Sequence, residues 1–461
     1  MIAKKIIISH HTFMFPFIIK DDKSKDAITE GWNFQPYKDN YNERAYFHNF
    51  FQKSMFTDKE DSNSAFYTKE EYKDSKFIIC KSKEYKLNLK SVNLRIFATG
   101  VGILSFHMEN TNYSDMQDIL EINDYGRRIY PEYLDEKDEC TLVPNYIKII
   151  KDEKLIVTEK FQYEKRPIAA ELSQIITHFF PIEKLKEKIE PAIDDRMFVI
   201  SFYKNSNFSN DLKSDFIKND RWYEYVYIDG NGKTVQNSEM QEVLIKKATY
   251  TRWQGYGTLY GVSKYSFVAN AEDSEFIENT IEVHMQTMYF QMFSLLLMLR
   301  ATILKFSSEV SDIADDINNA ETAEKVSDLY KRYIQFVNSF YFREITAKDQ
   351  GLEIYEKAIS ILNIERDIKD LDSEIEELHK FVELNSDKNT SRAINTLTLV
   401  GGVLMPASIV TGFLGMNSLE GLGNLIPFID KSDRGFWSLG IVFMTLLISF
   451  GILKYILKKG K

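Results

Sequence analysis

The chain has 461 residues, too many for one ordinary domain, and its formal charge of −10 argues against a nucleic-acid groove, which needs clustered Lys and Arg. Its mean hydropathy of −0.31 is that of a soluble protein, so any membrane part is a minority of the chain. Only two cysteines occur, Cys80 and Cys140, without CxxC spacing; that excludes a disulfide framework and a structural zinc site and fits a reducing compartment.

At the N-terminus Lys4-Lys5-Ile6-Ile7-Ile8 imitates a signal peptide. His10, His11 and Pro16 interrupt the run and no small-residue cleavage site follows, so a buried strand is predicted instead. The mixed-sign run over residues 69–76 predicts a solvated face. Tyr85, Leu87 and Leu89 alternate with Lys86, Asn88 and Lys90, and a second apolar strand over 101–108 follows a turn at Gly100. Gly100-Val101-Gly102 lacks the third glycine and the following helix of a dinucleotide fingerprint.

A capped helix is predicted over 114–123, after which Arg127 and Arg128 stand beside Gly126. His178, in an apolar run, reads as a core or interfacial histidine. Further strands are predicted at 197–203, 223–228 and 260–268, with Asp229-Gly230-Asn231-Gly232 as a hairpin turn. The string Arg252-Trp253-Gln254-Gly255-Tyr256-Gly257 sets a cation among aromatic faces and flexible backbone. Paired guanidiniums suit a phosphate and stackable rings suit a base, so Arg127, Arg128, Arg252, Trp253 and Tyr256 are candidate ligand-binding residues for a small nucleotide. The alternative is that the arginines pair with nearby carboxylates and Trp253 belongs to the core.

The apolar stretch at 285–299 contains Gln286 and Gln291 and ends at Arg300. It is short for a membrane span and predicts a buried helix. Helix continues through 313 and again over 322–342. Glu309, Asp312 and Asp316 share a helix face and are weak candidates for a divalent-cation site, a solvated face being the alternative. Ile354, Ile361, Ile368, Ile375 and Val382 then recur every seven residues, with Ile364, Leu371 and Leu378 between them, which predicts one long coiled-coil-like helix.

Charged residues are absent from 393–419 and again from 435–453. The first stretch exceeds the roughly 20 residues needed to cross a bilayer as a helix and the second comes close to it, so two spans joined by a short loop are predicted. Lys388 and Arg392 precede the first, and Lys454, Lys458, Lys459 and Lys461 follow the second, so both termini are predicted to be cytoplasmic. Along the first span Ser391, Thr398, Met405 and Gly412 recur every seven residues, with Asn395, Gly402, Ser408 and Gly415 three or four away. Such a stripe of small and polar residues serves either close helix packing or a water-filled pore, and a pore would need several identical subunits around an axis. Pro406 lies within the span, where a kink is tolerated.

The run from Leu404-Met405-Pro406 to Gly415-Met416-Asn417 resembles the first membrane helix of the CorA family of divalent-cation transporters, which ends in a Gly-Met-Asn signature. The resemblance implies a CorA-like funnel, a homopentamer in the lipid bilayer of the cell inner membrane. Gly415, Met416 and Asn417 would form its outer mouth, and Asn395, Thr398, Met405, Ser408 and Gly412 would line its pore. Asn417 would hold a hydrated cation through its amide, which suits Mg²⁺ because that ion sheds water reluctantly. Leu414 stands where the family usually has an aromatic residue and Ser418 replaces the usual Phe. The strings Gly100 to Phe106 and Ile122 to Arg128 look like those of larger CorA-like proteins, some of which accompany type III CRISPR systems. That looser resemblance implies an antiviral membrane effector opened by a nucleotide second messenger such as an S-adenosylmethionine-AMP conjugate.

The sequence therefore predicts an α+β cytosolic domain over 1–270 as candidate ligand sensor, a helical stalk over 271–390, and a two-helix pore domain with a basic tail over 391–461. No nucleophile motif, P-loop, HExxH or His/Cys cluster is present, so an enzyme is not expected.

Overall fold

The strands among the described residues are β1 (Ser9–Ile19), β2 (Asn33–Phe34), β3 (Ser64–Thr68), β4 (Lys76–Cys80), β5 (Glu84–Phe97), β6 (Val101–Asn110), β7 (Tyr146–Lys151), β8 (Lys154–Lys160), β9 (Ile189–Pro191), β10 (Phe198–Lys204), β11 (Thr249–Tyr250), β12 (Leu259–Val262) and β13 (Ser266–Ala271). They form one sheet in the order β11-β12-β13-β10-β1-β6-β5-β4-β7-β8, with β3 also paired to β5, β2 to β3 and β9 to β1. All pairs are antiparallel except β10 with β13. The computed structural model describes residues 6–21, 24–36, 41–60, 62–129, 143–161, 172–180, 185–194, 196–315 and 322–415, with 440, 443–445, 447–448, 450–451 and 454 beyond them. The chain divides into two compact units, residues 1–317 with 327–376, and residues 318–326 with 377–461.

The buried strand predicted at the N-terminus begins only at Ser9, as β1: Lys4 and Lys5 lie outside the described residues, and Ile6, Ile7 and Ile8 precede the strand with Ile6 exposed. Strand β1 is buried along its whole length, paired on one side with β6 and on the other with β10. A strand covered on both faces reads as a continuous apolar run, without alternation. Its polar residues are satisfied inside: the His11 Nδ1–H donates to Asn123 Oδ1 at 2.7 Å, and Ser9 Oγ lies 2.8 Å from His11 Nε2. Burial of the imidazole pushes its pKa down to about 4, so the ring is neutral. Opposite β1, Gly102 of β6 lies under the Phe17 ring, where an added Cβ would come within 2.2 Å of ring carbon.

Alternation along β5 is as the sequence predicts, Tyr85, Leu87 and Leu89 being buried and Lys86 and Lys90 exposed. Two predicted strands differ. Residues 223–227 belong to the helix Asp220–Tyr227, which buries Trp222, Tyr223, Tyr225 and Val226. The Asn219 side chain caps it by accepting from the Trp222 N–H, and Ile228 closes it in the left-handed conformation. Consequently Asp229-Gly230-Asn231-Gly232 connects two helices, the second being Ser238–Ala248, and is no hairpin turn. Residues 260–268 are not one strand but parts of β12 and β13, an antiparallel pair.

All but the first three residues of the apolar stretch at 285–299 lie in the helix Met288–Asp315, whose first two-thirds is buried against the sheet. Together with the turns before it, the helical run Ile277–Asp315 is long and apolar enough to cross a membrane by length and composition, yet 83% of its most apolar window is buried inside the protein. That burial identifies it as a core helix. The helix Thr322–Phe340 follows, then Asp349–Ile361 and the long helix Ile364–Gly415. The predicted single stalk helix is therefore broken, because Asn363 adopts φ +59°. Ile361 is left half-buried while Leu362 is buried, after which Ile364, Ile368, Leu371 and Ile375 resume the apolar face.

Candidate pore helix and candidate ligand residues

The helix Ile364–Gly415 runs for 52 residues without interruption from a charged, amphipathic beginning into the charge-free stretch that starts at Ala393. At 100° per residue, Asn395, Thr398, Met405, Ser408 and Gly412 fall within roughly half of its circumference. All five are exposed in the single chain. A Cβ added at Gly401, Gly402 or Gly412 would meet nothing within 4 Å. Gly415 ends the described helix; Met416, Asn417 and most of the second apolar stretch lie outside the described residues.

Arg127 and Arg128 follow the helix Met116–Gly126, which the Asp115 carboxylate caps by accepting from the Gln117 N–H at 2.8 Å. Both guanidiniums are buried and both donate to Asp124 Oδ1, at 3.2 and 3.0 Å. Arg127 Nη2 also donates to the Ile228 carbonyl at 3.3 Å, while its Nε and Nη1 are buried without a hydrogen-bond partner. Burial lowers the Arg127 pKa to about 10 against the pull of Asp124. Arg127 and Arg196 both face the Tyr265 ring, at 5.9 and 5.7 Å from its centroid.

The Arg252 patch lies elsewhere, beside the helix Asp349–Ile361. Arg252 donates to Glu353 at 2.6 Å and to Asp349 at 3.2 Å, and the indole N–H of Trp253 donates to Gln350 at 2.7 Å. Trp253 is not a core residue, being 37% exposed, and Tyr256 is 68% exposed. Their rings are 6.2 Å apart and border a cleft of about 400 Å³ completed by Phe276, Ile277, Ile281 and His284. The sequence did not point to this second wall, because it comes from a π-helical turn, Ile277–Ile281, that no local pattern announces.

Of the acidic face, Glu309 accepts two hydrogen bonds from Arg332, at 3.2 and 2.6 Å, and Asp328 accepts a third from the same guanidinium. Asp312 is exposed, and Asp316 lies outside the described residues. Among the described residues no three His, Cys, Asp or Glu side chains are grouped to hold a metal ion.

No curated protein matches the chain. Residues 281–459, from the core helix through both charge-free stretches, match the family described as CorA-like Mg²⁺ transporter protein, in agreement with the Gly415-Met416-Asn417 resemblance.

Proposed function

We propose that this chain is one subunit of an oligomeric CorA-like membrane channel that passes a divalent cation, Mg²⁺ foremost, with both termini in the cytoplasm. The observation that carries the reading is the helix Ile364–Gly415, which extends a charged stalk directly into a charge-free stretch that is exposed in one chain on its apolar faces as well as along its small and polar stripe. Two spans cannot enclose a pore, so copies are arranged around an axis with this stripe inward. Hydroxyl, amide and exposed carbonyl groups then replace outer hydration of the ion. At the mouth, the Asn417 amide holds first-shell water in place, which suits a cation that dehydrates reluctantly. Signals from the large N-terminal region reach the pore through the stalk.

The test is flux. Full-length protein in liposomes containing a Mg²⁺-sensitive dye is expected to admit Mg²⁺ down its gradient, and Asn417→Ala is expected to cut the initial rate at least tenfold without dissociating the oligomer. Assembled protein that passes no divalent cation at any imposed voltage or Mg²⁺ gradient would overturn the proposal.

A further inference from the structure

We propose that the cleft between the Trp253–Tyr256 turn and the Ile277–Ile281 π-turn binds a flat heteroaromatic molecule that carries no negative charge. Its volume of about 400 Å³ falls within the range of small-molecule sites, which are lined mainly by apolar and aromatic groups with a few polar ones for orientation. Three of the exposed large hydrophobic side chains, Trp253, Tyr256 and Phe276, converge on it. Rings held about 6 Å apart and tilted present faces and edges to which a planar ligand can stack.

Polar groups define the charge of the occupant. Glu272 lines the cleft with Thr258, Ser274, Thr280, His284 and Gln350, its carboxylate also standing 3.8 Å from Lys213 Nζ, and no Lys or Arg is among the described lining residues. Arg252, whose guanidinium lies 5.8 Å from the Trp253 ring centroid, is paired with two carboxylates, Glu353 and Asp349, so with Glu272 the carboxylates around this wall outnumber the cations Arg252 and Lys213. Burial lowers the His284 pKa, so its imidazole offers a neutral edge. A carboxylate beside aromatic faces favours a neutral or cationic ring and disfavours a phosphate.

One wall is preorganised. The Trp253 indole is held by Gln350, whose amide in turn donates to the hydroxyls of Tyr260 and Tyr289 at 3.0 and 2.6 Å. The π-turn supplies the other wall, and such turns concentrate at functional sites. Because Gln350 belongs to the helix that leads through Asn363 into the stalk, an occupant that moves the indole acts on that helix. This last consequence alone rests on the channel reading; binding does not.

Binding is read on the full chain labelled with 5-fluorotryptophan, the Trp253 signal among Trp32, Trp222, Trp253 and Trp437 being assigned with Trp253→Phe. The probes are adenosine, 1-methyladenosine, whose ring is cationic, and AMP, the same ring with a phosphate. Both nucleosides are expected to shift the Trp253 resonance, and AMP to require at least tenfold more ligand. Tyr256→Ala and Phe276→Ala, at highly exposed positions whose loss does not threaten folding, are expected to weaken the nucleosides at least fivefold. The proposal is overturned if neither nucleoside moves the resonance, or if AMP binds as well as adenosine. It is equally overturned if the resonance follows protein concentration and ignores every probe, which would assign the cleft to a contact between copies. Since no flux is measured, a failure here is distinct from a failure of the pore.

Discussion

Asp124 is the carboxylate on which two buried guanidiniums of the N-terminal region depend. Its Oδ1 receives both Arg127 and Arg128, and all three side chains are buried. Removing one partner of a buried ion pair costs far more than the pair itself contributes, because the remaining charge stays desolvated. Asp124→Asn keeps the shape and removes the charge, and is expected to lower unfolding free energy by about 3 kcal/mol. Chemical denaturation would check it; a loss well under 1 kcal/mol would mean that another group neutralises Arg127. His11 makes a different prediction. Its folded pKa is about 4 against an ordinary 6.5, so below pH 6.5 the unfolded chain takes up a proton that the folded chain refuses. The neutral ring's contribution is complete above pH 6.5 and is lost as pH falls toward 4, to a limit of about 3 kcal/mol. The denaturation midpoint of wild type should fall more steeply across that window than that of His11→Gln. Equal slopes would show that the buried imidazole takes up its proton as readily in the folded chain as in the unfolded one.

At the scale of elements, what was legible depended on whether period and burial agreed. β5 and the core helix were read correctly because alternation in one and an unbroken apolar run in the other match the surfaces they bury. The helix Asp220–Tyr227 was misread as a strand, since Trp222-Tyr223-Glu224-Tyr225-Val226-Tyr227 is rich in aromatic and β-branched residues. Asn219 before Asp220 is a good start for a helix, a signal that the predicted strand leaves out of account. The stalk shows the reverse case. Its heptads are real, yet nothing in a seven-residue period registers the left-handed Asn363 that ends one helix and starts the next. Asn tolerates that conformation and a β-branched residue does not. Asn363→Gly is therefore expected to be close to neutral, and Asn363→Val to lose about 1–2 kcal/mol in thermal or chemical unfolding. If valine were tolerated as well as glycine, the break would not depend on this backbone geometry.

For the whole molecule, the proposed pore and the cleft lie at opposite ends of legibility. Gly415-Met416-Asn417 and the stripe before it are contiguous, so a reader of the sequence meets them as one motif. The cleft joins the Trp253 turn, a π-turn some twenty residues on and Gln350 about a hundred residues on, a grouping that only the folded sheet and core helix create. Neither, however, says by itself how copies are arranged, and that can be asked of two threonines. Thr396 and Thr398 are both exposed on the helix Ile364–Gly415, but two residues of helix turn them about 200° apart, and only Thr398 lies in the small-residue stripe. If the stripe faces a shared axis, Thr398→Cys brings thiols of different subunits together, whereas Thr396→Cys directs them away from the axis. In a background with Cys80 and Cys140 changed to serine, mild oxidation should give covalent dimers with Thr398→Cys and few or none with Thr396→Cys. Equal cross-linking from both, in protein that remains assembled, would mean that the stripe does not face a shared axis, and the proposed pore would have to be lined by another face.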